Sequence, residues 1–93
     1  MGLQFEWDPQ KAAHNKQKHG VTFEEATTVF ADPLSATFND PDHSHNEERF
    51  VIIGVSQRQR LLMVSHTEQD NRIRIISSRE PTALERKQYE ESI

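Results

Sequence analysis

The 93-residue sequence contains no cysteine. That absence excludes disulfide bonds, thiolate metal sites and a cysteine nucleophile together, and fits a reducing cytoplasm. Long apolar runs are also missing. The longest, Phe50-Val51-Ile52-Ile53-Gly54-Val55, falls far short of the roughly 20 residues that cross a bilayer. The start, Met1-Gly2-Leu3-Gln4-Phe5-Glu6-Trp7, has no basic stretch ahead of an apolar one, so no signal peptide is expected. Gly2 invites a myristoylation reading, against which Trp7 stands where that motif tolerates less. Large apolar side chains are few: Leu, Ile, Val and Phe total 21, just above the roughly 20% below which charged chains are usually disordered. A soluble, cytoplasmic protein with no membrane association is expected. It should form a single domain, residues 1–93, with a small core and a stabilising partner.

Positive charge is scarce overall, with 11 Lys and Arg against 15 Asp and Glu and a net charge of −4. A deficit of cations argues against a nucleic-acid partner, because affinity for phosphate comes mainly from Lys and Arg. The charge is uneven, however. Residues 1–48 hold Lys11, Lys16 and Lys18 against nine acids. Within residues 49–79, Arg49, Arg58, Arg60, Arg72, Arg74 and Arg79 face only Glu68 and Asp70. Arg forks onto a phosphate in two parallel hydrogen bonds where Lys acts as a point charge, so an all-Arg segment suits phosphate recognition. A solvated sheet face, with Arg stems covering apolar surface, accounts for it equally.

Leu3-Gln4-Phe5-Glu6-Trp7 alternates apolar and polar residues and predicts a short edge strand. Asp8-Pro9 opens a helix that ends at Gly20. With little apolar face beyond Ala12 and Ala13, this helix should lie on the surface and present Lys11, His14, Asn15, Lys18 and His19. Thr22-Phe23-Glu24-Glu25 is a capping box, with Glu25 reaching back, and starts a helix stopped at Pro33. Phe23, Ala26, Val29 and Phe30 form its apolar stripe. Residues 34–38 suggest a short strand, and residues 39–42 a loop. The runs 49–56, 60–67 and 72–78 hold 11 of the 21 large apolar residues and are joined by hairpin-length connections, which predicts an antiparallel meander. Residues 49–56, taken as the central strand, are apolar on both faces, so each face needs cover. Residues 82–91, with Tyr89, read as a terminal helix.

Three groups of residues could carry chemistry. Asp40, Asp42, His43, His45 and Glu47 offer oxygen and imidazole ligands at loop spacing, although no second cluster supports a metal and a polar loop explains them as well. Lys18-His19 could act in chemistry or simply complete a helix dipole. Glu47-Glu48-Arg49 with Arg74 and Arg79 could form either a site or cross-strand ion pairs.

Taken together, Glu6-Trp7-Asp8, Lys11, Asn15, Lys18-His19-Gly20-Val21, Phe23, Glu25-Ala26, Asp32-Pro33, His43-Ser44, Glu47-Glu48-Arg49, Ile53-Gly54, Leu61-Leu62, Arg72-Ile73-Arg74-Ile75-Ile76-Ser77, Arg79, Glu85 and Tyr89 form an ordered series. Over residues 5–90 the sequence resembles the BrnT family, small ribonuclease toxins of type II toxin–antitoxin pairs. Two positions depart from the family pattern: Gln69 stands where an Arg follows the Thr-Glu pair, and Ser77-Ser78-Arg79 stands for Ser-Ala-Arg. The resemblance implies an α+β, RelE-like domain, with an antiparallel sheet packed with two N-terminal helices and a C-terminal helix. It also implies RNA cleavage that stops translation, and a complex with a BrnA-like antitoxin that represses the operon, so that operator DNA is met only through the antitoxin.

No cofactor or metal is implied. Metal-independent cleavage needs a base for the 2′-hydroxyl, an acid for the 5′-oxygen and cations for the phosphorane. The candidates are His19 or Glu48 as base, His43 or Lys18 as acid, and Arg49, Arg74 and Arg79 as phosphate clamps. Arg58, Arg60 and Arg72 are further RNA contacts, Tyr89 is a stacking residue, and His66 is a reserve. The alternative is a non-catalytic or degenerate module that docks the antitoxin through its acidic half.

Overall fold

The computed structural model describes residues 2–43 and 46–92. In chain order these form β1 (Gln4–Glu6), α1 (Pro9–His19), α2 (Phe23–Thr28), a 3₁₀ turn (Val29–Ala31), β2 (Ala36–Asn39), a second 3₁₀ turn (Pro41–His43), β3 (Phe50–Val55), β4 (Leu61–Gln69), β5 (Arg72–Arg79) and α3 (Ala83–Ser92). One sheet, ordered β1-β5-β4-β3-β2, joins all five strands. β1 is parallel to β5 and every other pair is antiparallel, so the α+β class and the meander hold. The middle strand is β4, not β3 as the sequence suggested.

The caps are local chemistry. Asp8 Oδ1 accepts from the Gln10 amide at 2.8 Å, Pro9 fits the first turn, and Gly20 closes α1 at φ 71°. Thr22 Oγ1 accepts from the Glu25 amide at 3.0 Å. The return half of that capping box is absent, because the Glu25 carboxylate is recruited elsewhere. Glu25 is 3% exposed, and its Oε2 accepts from Ser56 Oγ at 2.7 Å and from Arg60 Nε at 2.9 Å. Arg60 Nη2 also bonds Glu25 Oε1, and donates to the Gly20 carbonyl at 3.1 Å. The Arg60 guanidinium, opposed by burial and aided by Ser56, holds the Glu25 carboxyl below the usual carboxylate range. One ion pair thus ties the β3–β4 turn to the α1–α2 junction.

α1 and α2 cover one face of the sheet, where Val21, Phe23, Ala26 and Val29 pack on Ile52, Leu62, Val64, Ile73 and Ile75. Fully burying each large apolar side chain contributes about 1.5–3 kcal/mol, so this cluster dominates the fold's stability. Gly54 lies where α2 runs on toward β2. A Cβ there would stand 2.9 Å from Ser35 Cβ and 3.1 Å from Val29 Cγ1, so only glycine permits that approach. On the other face Ile53 and Leu61 pack under Tyr89 of α3, with Ala36 and Met63 beside them. Ile52 and Ile53 of β3 are therefore covered by the chain itself, one on each face, while Val55 stays 39% exposed.

Asn15 does not lie on the surface. It is 4% exposed, and its amide donates to the Ser78 and Val21 carbonyls at 2.8 and 3.0 Å while Oδ1 accepts from the Ser78 amide at 3.0 Å. β1 pairs with only Arg72–Arg74 of β5, and Asn15 satisfies the β5 edge beyond it.

Between β4 and β5 the register slips by one residue: His66 pairs with Ile75 and Ser65 with Ser77, leaving Ile76 as a bulge. Before the bulge, Ile73 and Ile75 point to the α1–α2 face. After it, Ser78 does, and Ser77 and Arg79 face the α3 side.

Candidate functional site

On the α3 side the sheet is only partly covered, and a cleft of about 530 Å³ lies there. Its floor is Phe38, Val51, Met63, Ser65 and Ser77. Asp40, His43, Arg49, Arg79 and Glu85 stand around it. The register explains this assembly, because Phe38 lies opposite Val51, Val51 opposite Ser65, Ser65 opposite Ser77, and Met63 opposite Arg79. Residues opposite one another in a sheet share a face.

His43 sits on the 3₁₀ turn Pro41–His43, where its Nδ1 meets the Asp40 carboxylate oxygens at 3.1 and 3.0 Å. A carboxylate at Nδ1 makes that nitrogen the N–H and leaves Nε2 as the one that exchanges a proton with a ligand. Arg49 comes from the segment before β3, its carbonyl accepting from the Asp40 amide at 2.8 Å. The Arg79 fork is filled by Glu85, with Nη1 to Oε1 at 2.8 Å and Nη2 to Oε2 at 3.0 Å. The pair raises the guanidinium's pKa and, with bonds from Thr82, pulls the Glu85 carboxyl down to about 2. Thr82 and Glu85 also form a capping box that starts α3, with the Thr82 amide donating to Glu85 Oε1 at 2.9 Å.

A second cleft of about 380 Å³ adjoins the first. It is lined by Lys11, His14, Lys18 and His19 of α1, and it shares Ile76 and Ser77 with its neighbour. The His19 pKa is lowered, first by burial and then by the charges of Lys18, Arg79 and His14. At neutral pH His19 is a neutral imidazole able to accept a proton, and the field of Arg79 reaches it across β5.

The structure thus gathers His43, Arg49 and Arg79 in one cleft, with Lys18 and His19 next to it. The other sequence candidates lie elsewhere. Glu48 is exposed before β3, outside both linings. Arg60 is engaged by Glu25, and the exposed Arg58 stands 3.9 Å from the same carboxylate. Arg72 pairs with Glu6 at 3.5 Å, and Arg74 pairs with Glu47. The acids that neutralise these arginines come from outside residues 49–79, so the positive sum over that segment overstated the free charge. Tyr89 does not fit a stacking role: it is buried on Ile53 and Leu61, and its hydroxyl donates to the Leu34 carbonyl at 2.9 Å. His66 is buried on the α1–α2 face, where its ring nitrogens meet the Val64 carbonyl at 3.0 Å and Glu68 at 2.8 Å. Phe30 stands edge-on to its ring.

Sequence reading missed the inward turn of Asn15 and the exposed Phe38. The Asp40 and His43 pairing was visible only as a three-residue spacing, inside a cluster read either as metal ligands or as a polar loop. Among the described residues no group of three or more His, Asp or Glu is placed to hold a metal ion. His45 and Ser44 lie outside the described residues. No helix among the described residues is long and apolar enough to cross a membrane.

A family model described as ribonuclease toxin, BrnT, of type II toxin-antitoxin system matches residues 7–85. Among solved structures, the chain is similar to the Brucella abortus ribonuclease toxin BrnT, with a TM-score of 0.67 at 19% identity over 86% of this chain and 97% of that one. This is a likeness of fold. No curated protein matches the sequence.

Proposed function

Because the chain belongs to the BrnT family of ribonuclease toxins of type II toxin–antitoxin systems, we propose that it cleaves RNA without a metal in the paired clefts flanking Ile76 and Ser77. The observation that carries this reading is the convergence of His43, Arg49 and Arg79 beside the cleft of His19. In this scheme His19, neutral at pH 7, removes the proton of a 2′-hydroxyl. The 2′-oxygen forms a bond to phosphorus as the bond to the 5′-oxygen breaks, and His43 delivers a proton from Nε2 to the departing oxygen. The products are a 2′,3′-cyclic phosphate and a 5′-hydroxyl. Arg49 and Arg79 bear the charge that builds on the phosphorane, the term that usually contributes most. Lys18 adds positive potential beside the base.

Cleavage in the cytoplasm would stop translation. A BrnA-like antitoxin would neutralise the toxin and carry it to operator DNA. A second reading, a non-catalytic module that docks the antitoxin, is favoured by the occupation of the Arg79 fork by Glu85.

Expression of the chain alone in bacteria separates the two. The ribonuclease reading expects growth arrest and RNA ends carrying 2′,3′-cyclic phosphate, formed by the purified protein in the presence of a chelator. His43→Ala, Arg49→Ala and Arg79→Ala should each lower cleavage at least a hundredfold. Tolerated expression with no cleavage would establish the docking module, and loss of activity on chelation would refute metal independence.

A further inference from the structure

Phe38 is the sole aromatic among the exposed large hydrophobic residues described, with 51% of its surface open. We propose that Phe38 is the base-stacking platform of the cleft, holding an unpaired nucleobase of a single-stranded RNA whose phosphate lies on Arg49. The proposal rests on the ribonuclease reading and adds to it which part of the substrate is recognised.

Phe38 lies on β2 directly opposite Val51, and Arg49 precedes Val51 by two residues, so Phe38 and Arg49 are diagonal neighbours on one face. Such neighbours stand about 7–8 Å apart, within the span of a single nucleotide from phosphate to base. The floor beside Phe38 is apolar, formed by Val51 and Met63. It continues under α3 into a groove of about 320 Å³ toward Tyr89. A base laid on the ring would therefore meet the apolar side chains of Val51 and Met63, with Arg49 and Glu85 at the margins. Because β2 and β3 are hydrogen-bonded along Ala36–Asn39, the backbone beneath the ring is fixed before any ligand arrives.

A duplex hides its base faces, whereas a single strand offers them. Stacking on an aromatic ring beside a cationic track is the usual chemistry of single-strand recognition. An apolar anchor from a protein partner suits the place less well. It would draw the charged groups of Asp40, His43, Arg49 and Glu85 out of water against an apolar surface, whereas a nucleotide sets only its base on the ring and keeps its phosphate among charges and water.

The test uses a short single-stranded oligoribonucleotide of mixed sequence, methylated at its 2′-hydroxyls so that it binds without being cut. A matched strand lacking its bases serves for comparison. The native protein should prefer the strand with bases by about tenfold, the effect of one stacked base. Phe38→Leu should lose that preference while binding the baseless strand unchanged, and Phe38→Trp should keep it. Thermal melting checks that the variants are folded. An unaltered preference in Phe38→Leu overturns the stacking site, as does a variant that keeps RNA affinity and loses only the antitoxin. If the native protein neither binds the oligonucleotide nor cleaves its unmethylated form, the ribonuclease reading falls and the stacking site falls with it.

Discussion

Arg74 and Arg79 face the same side of the sheet although they stand five positions apart on β5. In a regular strand that spacing would place them on opposite faces. The extra residue at Ile76 reverses the alternation, so Arg79 reaches the cleft while Ile73 and Ile75 stay in the core. Asn15 holds the strand in this phase by bonding both backbone groups of Ser78.

Replacing Asn15 with Ala should therefore be expensive. It leaves the Ser78 amide and the Ser78 and Val21 carbonyls without their partner, at about 1–3 kcal/mol for each buried group left unsatisfied. We expect a loss of roughly 3 kcal/mol in urea denaturation. A loss below about 1 kcal/mol would mean that water replaces the clamp.

Ser78→Ala should act in the opposite sense. Its Oγ is buried with no hydrogen-bond partner. Removing an unsatisfied hydroxyl should stabilise the protein by about 1 kcal/mol and raise the urea midpoint.

Glu25→Gln should destabilise by about 3 kcal/mol, because it removes the buried negative charge opposite a partly buried Arg60 and leaves one acceptor in place of two, with only Glu80, 3.6 Å away, still charged beside the guanidinium. Arg60→Ala should also lower stability, yet leave RNA affinity unchanged wherever the variant is folded. A selective loss of RNA binding with native stability would return Arg60 to the substrate.

The Arg79–Glu85 pair predicts a pH dependence. The Glu85 carboxyl is held at about 2, below its ordinary 4.5, so the pair's contribution is complete above pH 4.5 and is lost as the pH falls toward 2. For a partly exposed pair this amounts to about 1 kcal/mol. The stability gap between the native protein and Glu85→Gln should narrow over that interval. A gap that stays constant would show that the ion pair contributes nothing.

Arg79→Ala should raise the pKa of His19, because the guanidinium is one of the charges that lowers it. Titration of the His19 ring by NMR measures this directly. An unmoved value would break the electrostatic link between the two clefts.

Much of the fold was legible where the signal is local. The caps at Asp8, Gly20 and Thr22, the alternation in β3 and the hairpin-length connections each arise within a few residues. The helix expected over residues 22–32 tightens into a 3₁₀ turn at Val29, a change that no single residue announces. The cleft was partly legible: His43, Arg49 and Arg79 were named, whereas Phe38 was not, because exposure is not written in residue type. Arg60 and Tyr89 were given to RNA because a charged or aromatic side chain looks available until its partner in space is known.

The sequence by itself determined the helix starts, the end of α1 at Gly20, the strands of the meander and the family, since these depend on neighbours along the chain and on the order of motifs. Only the tertiary structure decided which arginines reach the cleft. The carboxylates that claim Arg60, Arg72 and Arg74 come from distant segments, and one bulged residue at Ile76 sets the face on which Arg79 emerges. Pairing and register are long-range properties, and a short interval of sequence carries neither.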